Sequence, residues 1–98
     1  MKDIISGLYK IFESRVRLGI MSVLMVNDWV DFNELKALLQ ITDGNLASHL
    51  SQLEKNELIE IKKQFIGKKP NTKYKASAKG AKLFKDHLDN LNKLINNK

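Results

Sequence analysis

The sequence predicts a mainly α chain carrying one small β-hairpin, an α+β domain of 98 residues. Two patterns and one boundary condition lead there. Apolar residues recur at spacings of three and four over most of the chain, the period of a helix with one buried face. That period gives way once, after Leu58, to alternation at Ile59, Ile61, Lys63 and Phe65, followed by a Gly/Pro/Asn turn. With 43% hydrophobic residues, the chain can bury one modest core and has no room for a second domain.

The first helical pattern begins near Asp3 and runs through Ile4, Ile5, Leu8, Ile11, Phe12, Val16, Ile20, Val23 and Leu24. Gly7 and Gly19 weaken it by about 1 kcal/mol each relative to alanine. It is therefore either two helices parted near Glu13-Ser14, with Ser14 as N-cap, or one helix closely packed at Gly19. Asn27-Asp28 ends the segment, and Trp29-Val30-Asp31 forms a short strand or extended link. Asp31 with Glu34 three residues on is a capping box, and Val30 and Leu35 are placed for a hydrophobic staple, so a second helix starts there with Leu35, Leu38 and Leu39 toward the core.

After the Gln40-Ile41 link, Thr42 caps a third helix whose Leu46, Leu50 and Leu53 repeat at i, i+4, i+7. Asn56 ends it as a residue that tolerates the left-handed conformation. The alternating strand follows, then Gly67-Lys68-Lys69-Pro70-Asn71 as the turn, and residues 72–76 return as a second strand. Ser77 opens a last helix in which Phe84, Leu88, Leu91 and Ile95, flanked by Leu83 and Leu94, form an apolar stripe longer than a small core needs.

Composition removes several function classes. There is no cysteine, hence neither a disulfide nor a thiolate metal site. No apolar run approaches the roughly 20 residues that span a bilayer, and Met1-Lys2-Asp3 does not open a secretory leader, so the expected location is the cytoplasm. His49 and His87 have no carboxylate or histidine at ligand spacing, so no metal or cofactor is expected; His87 reads as a polar residue of the last helix, at a place compatible with an interface. No nucleophile–base pair or phosphate-cradling glycine loop is present, and an enzyme is not expected.

The charge points to a polyanion. The net +6 is split, with six basic and eight acidic side chains in residues 1–58 but eleven basic and three acidic in 59–98. Residues 59–82 hold eight lysines against Glu60 alone, a density that creates a local positive potential. Just before it, the third helix presents Asn45, Ser48, His49 and Gln52 outward. A helix fits the major groove, and Lys62, Lys63, Lys68, Lys69, Lys73 and Lys75 on the hairpin suit phosphates. The outward helix face has no arginine or lysine, which disfavours bidentate guanine reading. Asn and Gln pair best with adenine and Ala47 suits a thymine methyl, so half-sites containing A·T pairs are expected. Tyr74 either packs inward or bonds a phosphate.

The segments Asp31-Phe32-Asn33-Glu34-Leu35, Asp43-Gly44-Asn45-Leu46-Ala47-Ser48-His49-Leu50, Leu53-Glu54, Leu58-Ile59 and Gly67-Lys68-Lys69-Pro70-Asn71-Thr72-Lys73-Tyr74 resemble the MarR/ArsR-like winged helix-turn-helix transcriptional regulators of the small single-domain kind. The resemblance spans about residues 14–91. It implies a homodimer that binds double-stranded DNA, with a winged-helix core at 14–76 and dimerisation helices at 1–13 and 77–98. Asp43, Gly44, Asn45, Ala47, Ser48, His49 and Gln52 would meet the major groove. Lys62, Lys63, Lys68, Lys69, Asn71, Thr72, Lys73 and Tyr74 would form the DNA-binding wing. Ile4, Ile5, Leu8, Ile11, Phe84, Leu88, Leu91 and Ile95 would join the protomers. Arg17 falls where such proteins often carry an arginine early in the first core helix. The wing bears lysines where many relatives have arginines, which suits phosphate contact better than entry of a guanidinium into a narrow minor groove. The rival reading is a winged-helix module that contacts proteins and does not bind DNA specifically.

Overall fold

The computed structural model describes residues 8–96. After a single 3-10 turn at Lys10–Phe12 come α1 (Arg15–Met25), β1 (Val30–Asp31), α2 (Phe32–Leu39), α3 (Asp43–Lys55), β2 (Ile59–Ile66), β3 (Lys69–Ala76) and α4 (Ala78–Asn96). The strands form one antiparallel sheet in the order β1-β3-β2. The helices close over its inner face, where Ile20, Met21, Leu24, Leu35, Leu46, Leu53 and Leu58 are almost fully buried.

The helix starts follow local chemistry. Ser14 Oγ accepts from the Arg17 N–H, Thr42 Oγ1 from the Asn45 N–H and Asp31 Oδ1 from the Glu34 N–H at 2.8 Å, with Glu34 reaching back to complete the capping box. Each satisfies a first-turn donor with no intrahelical partner. Ser77 Oγ accepts from the Gly80 N–H at 2.9 Å and donates to the Glu57 carbonyl at 2.7 Å, tying the start of α4 to the α3–β2 corner.

Five expectations require correction. First, of the N-terminal helix expected at 1–13, the described part, residues 8–13, holds only the short 3-10 turn at Lys10–Phe12, while the expected break at Glu13-Ser14 is present, with Ser14 capping α1. Ile4 and Ile5 lie outside the described residues. Gly19 is closely packed as well, since a Cβ there would come to 3.0 Å from the Leu39 side chain. Second, Leu38 is 63% exposed; the inward line of α2 runs through Leu35 and, one turn on, Leu39, which packs against the core. Third, the left-handed residue after α3 is Glu57 (φ 60°), not Asn56 (φ −91°). Asn56 instead bonds back to the Gln52 carbonyl through both its N–H and its side-chain amide.

Fourth, the hairpin turn is tighter than its composition suggests. Only Gly67-Lys68 connects the strands, with Ile66 paired to Lys69, Phe65 to Pro70 and Gln64 to Asn71. Gly67 has φ 64°, the positive value that the first position of a two-residue hairpin turn needs and that glycine adopts without a Cβ penalty. Pro70 is tolerated in β3 because β1 pairs only with Lys73 and Tyr74, leaving the outer part of β3 without a neighbour there.

Fifth, Phe84 and His87 face the chain's own core, not a partner. Phe84 is 1% exposed and meets Phe12 edge-on at 5.1 Å between centroids. His87 is 5% exposed, and its Nδ1 accepts from the Tyr9 N–H at 3.0 Å. Residues 9–12 thus dock on α4 of the same protomer. A backbone amide only donates, so His87 must be neutral at Nδ1.

Burial holds the His87 pKa below its ordinary value of 6.5, against a smaller opposing pull from Glu13. The unfolded chain therefore takes up a proton before the folded one does. The stability this contributes is whole above about pH 6.5 and is lost as pH falls from there through the folded value. Urea midpoints measured from pH 7 downward are expected to drop less steeply for His87→Gln than for the wild type. His49 shares the sign, so part of the slope should remain; identical slopes would assign the acid sensitivity elsewhere.

Candidate nucleic-acid interface

Helix α3 packs by Leu46, Leu50 and Leu53, all 3% exposed or less, which turns the opposite side to solvent. Asn45, Ala47, Ser48 and Gln52 are exposed there, as the sequence pattern requires. Gly44 is exposed too, and a Cβ at this position would meet nothing within 4 Å, so packing within the chain does not demand glycine. Asp43 is not a free carboxylate: Lys36 on α2 lies 2.8 Å away and offsets its charge.

His49 differs from the rest of this set. It is half-buried, and the Arg17 Nη1 donates to its Nδ1 at 3.0 Å, while the Arg17 Nε donates to the Ile11 carbonyl at 2.6 Å. A guanidinium has no acceptor, so Nδ1 is the acceptor and the neutral ring carries its proton on Nε2. Burial, and then the Arg17 charge, hold the His49 pKa below the ordinary 6.5. The ring therefore offers one N–H donor, suited to a base or phosphate acceptor, and connects α3 through Arg17 to the segment before α1.

On the wing, cross-strand register decides which side chains share a face. Ile61, Lys63 and Phe65 stand opposite Tyr74, Thr72 and Pro70. This is the side turned to α3, since Ala47, Leu50, Ser51 and Glu54 of the helix line a cleft of about 190 Å³ with Ile61, Lys63, Thr72 and Tyr74. Lys62, Lys69, Asn71, Lys73 and Lys75 occupy the other side.

These placements sort the wing residues. Lys63, Lys68 and Lys69 are exposed, and none forms an ion pair among the described residues. Lys62 and Lys75 are drawn to the ring of Trp29, at 5.9 and 5.6 Å from its centroid, and Lys75 also lies 3.6 Å from Asp28. Lys62 stands directly opposite Lys73, a like-charge pairing that disfavours the sheet unless an anion offsets it. Asn71 and Thr72 are half-buried, and Asn71 accepts from Gln64 at 3.3 Å. Tyr74 is 8% exposed and belongs to the core, between Ile61 and Val30; its expected role at the phosphates is corrected to packing. Burial and the nearby Glu54 raise its hydroxyl pKa.

Ser51 and Lys55 were not among the sequence candidates, yet both are exposed on α3 in line with Ser48. The i, i+3, i+7 count from Ser48 was a sufficient signal for them. No comparable signal existed for Arg17 as the partner of His49, 32 residues away.

The family model of the winged helix DNA-binding domain matches residues 16–95. An uncharacterized protein of Methanocaldococcus jannaschii is 39% identical over 88 residues, 90% of this chain and 96% of that protein. Among solved structures, a transcriptional regulator homologue from Pyrococcus horikoshii OT3 has a TM-score of 0.80 at 34% identity, covering 87% of this chain and 84% of that one. MepR of S. aureus, in a complex with DNA, has a TM-score of 0.76 at 15% identity over 93% of this chain and 74% of that one, a likeness of fold. A capped helix pair whose second member exposes a polar face, an antiparallel wing beside it, and a match across nearly the whole core place the chain in the winged helix DNA-binding domain family.

Proposed function

We propose that this winged-helix domain acts as a dimeric transcriptional regulator that binds double-stranded DNA sequence-specifically, with α3 in the major groove and the wing lysines on the backbone. The observation that carries this reading is the adjacency of two surfaces. The exposed Asn45, Ser48 and Gln52 lie on a helix beside a hairpin whose residues 61–76 contain six lysines and no acidic residue. The helix supplies donors and acceptors for base edges, while the hairpin supplies charge that reads no sequence. Asn45 and Gln52 favour adenine, so half-sites should contain A·T pairs. In a two-fold dimer on one face of the duplex, half-site centres would lie about 34 Å apart, one helical turn.

The two roles differ in their salt signature. Lys68→Ala with Lys69→Ala is expected to weaken binding to operator and random duplex alike and to reduce the magnitude of the salt slope by about one per lost contact. Asn45→Ala or Gln52→Ala is expected to cost about 1–3 kcal/mol on a duplex selected from random DNA, with little loss on unselected DNA. Fluorescence anisotropy at several salt concentrations checks both. Equal losses on both duplexes for the α3 variants would remove sequence reading from α3. Absence of any DNA affinity at low salt would favour the protein-binding module.

A further inference from the structure

We infer that the tip of the wing is an apolar wedge for the minor groove, in which Phe65, with Ile66 on the opposite face of the hairpin, presses between base pairs and bends the duplex, an inference that rests on the DNA-binding reading above. Phe65 is 75% exposed and Ile66 59% exposed, consecutive on β2 just before the Gly67-Lys68 turn and therefore on opposite faces of the hairpin end, Phe65 on the side turned to α3. Neither belongs to the core or packs against it. A hairpin that served only to place charge would carry polar residues at this point, because exposed apolar side chains at the end of a strand pair invite association.

The surroundings select the occupant. The exposed Lys63, Lys68 and Lys69 flank the pair, and residues 61–76 hold no carboxylate. That environment suits a narrow groove walled by phosphates better than an apolar pocket on a protein. Two side chains also offer a few hundred Å² at most, well short of the roughly 1,000 Å² of a specific protein interface.

The tip is stiff enough to push. Strand pairing continues to Ile66 and Lys69, a two-residue turn closes it, Pro70 backs Phe65, and the Gln64–Asn71 bond lies directly behind. Apolar side chains do not read hydrogen-bond patterns. They select steps that unstack readily, so TA and CA/TG steps are expected in the flanks of the site.

The test uses the full chain and duplexes it selects from a random pool, with 2-aminopurine placed in turn through the flanks. Binding is followed by anisotropy, bending by end-to-end energy transfer and assembly by light scattering. The wild type is expected to raise 2-aminopurine fluorescence at one flanking step on each side and to bend the duplex by about 20–90°. Phe65→Ala with Ile66→Ala should abolish both signals while retaining binding, an unchanged salt slope and, because both side chains are exposed, an unchanged melting temperature. Bending and unstacking that persist in the double variant, or are absent in the wild type while it binds, overturn the wedge and leave the DNA-binding reading intact. Failure of the wild type to select any duplex overturns both. A double variant that loses self-association in light scattering overturns the wedge in favour of a contact between copies of the chain.

Discussion

Replacing Gly80 by alanine is expected to destabilise the fold by about 3 kcal/mol or more, at the upper end of what overpacking costs. A Cβ at this position would lie 1.9 Å from the Leu58 carbonyl oxygen, 2.7 Å from its carbon and 2.9 Å from its Cα. The obstacle is backbone, so rotation of a side chain cannot relieve it. The corner it presses on is held from several sides: Leu58 is 1% exposed, its carbonyl accepts from the Ser77 N–H at 3.1 Å, and Glu57 before it is left-handed. Either α4 must lift, which opens the contacts of Phe84, or the start of β2 must move. The better helix propensity of alanine returns only about 1 kcal/mol. Thermal and urea unfolding check the result, and for a domain of this size a melting temperature lowered by at least about 12 °C is expected. Gly44→Ala is the control, since nothing lies within 4 Å of its Cβ, and it should leave stability unchanged or slightly raised. A Gly80→Ala protein within 1 kcal/mol of the wild type would mean that the helix approaches Leu58 less closely than described.

The second large effect concerns assembly. Once Phe84 and His87 are committed inward, α4 still leaves Leu88 42% and Ile95 73% exposed, with Leu91 half-buried between them. The dimer proposed above therefore rests on these outer residues of α4, with Leu8 half-buried nearby in sequence to the docked turn and Ile11 already packed against the core. Leu88→Lys with Leu91→Lys is expected to convert a dimer to a folded monomer in light scattering at about tens of micromolar, a concentration chosen by mass action. Loss of the second half-site should weaken operator binding by about 10²–10⁴. Phe84→Ala is unsuited to this test, because it would open the core and unfold the chain for an unrelated reason. A wild type that is monomeric at that concentration, or a double lysine variant that stays dimeric, would sink the proposal.

The His87 contact shows where reading the sequence reached its end. On a helical count, position 87 lies on the same side as Phe84 and Leu91, and polarity suggested solvent or an interface. Its burial depends on a backbone amide at Tyr9, 78 residues away, which supplies the hydrogen bond that makes a buried imidazole affordable. Tyr74 is a similar case. Alternation placed it on one face of the wing, but only the pairing of β1 with β3, which sets Val30 beside it, makes that face the core. Lys62 and Lys75 read as two more phosphate ligands, and only the fold sets both ammonium groups over the ring of Trp29.

The sequence by itself determined the elements that close within about four residues. The caps at Ser14, Asp31, Thr42 and Ser77, the buried row Leu46, Leu50, Leu53 and the polar row opposite it follow from hydrogen bonds and periodicities internal to one segment, whatever the rest of the chain does. The lysine-rich hairpin was legible for the same reason, apart from the exact length of its turn. Tertiary structure alone decided that Gly80 must lack a side chain, that Arg17 orients His49, that residues 9–12 cover α4, and that Phe65 and Ile66 are left without partners. Each of these depends on which distant segments meet, and such contacts are set by the closure of the whole core, a quantity that no local window of sequence contains.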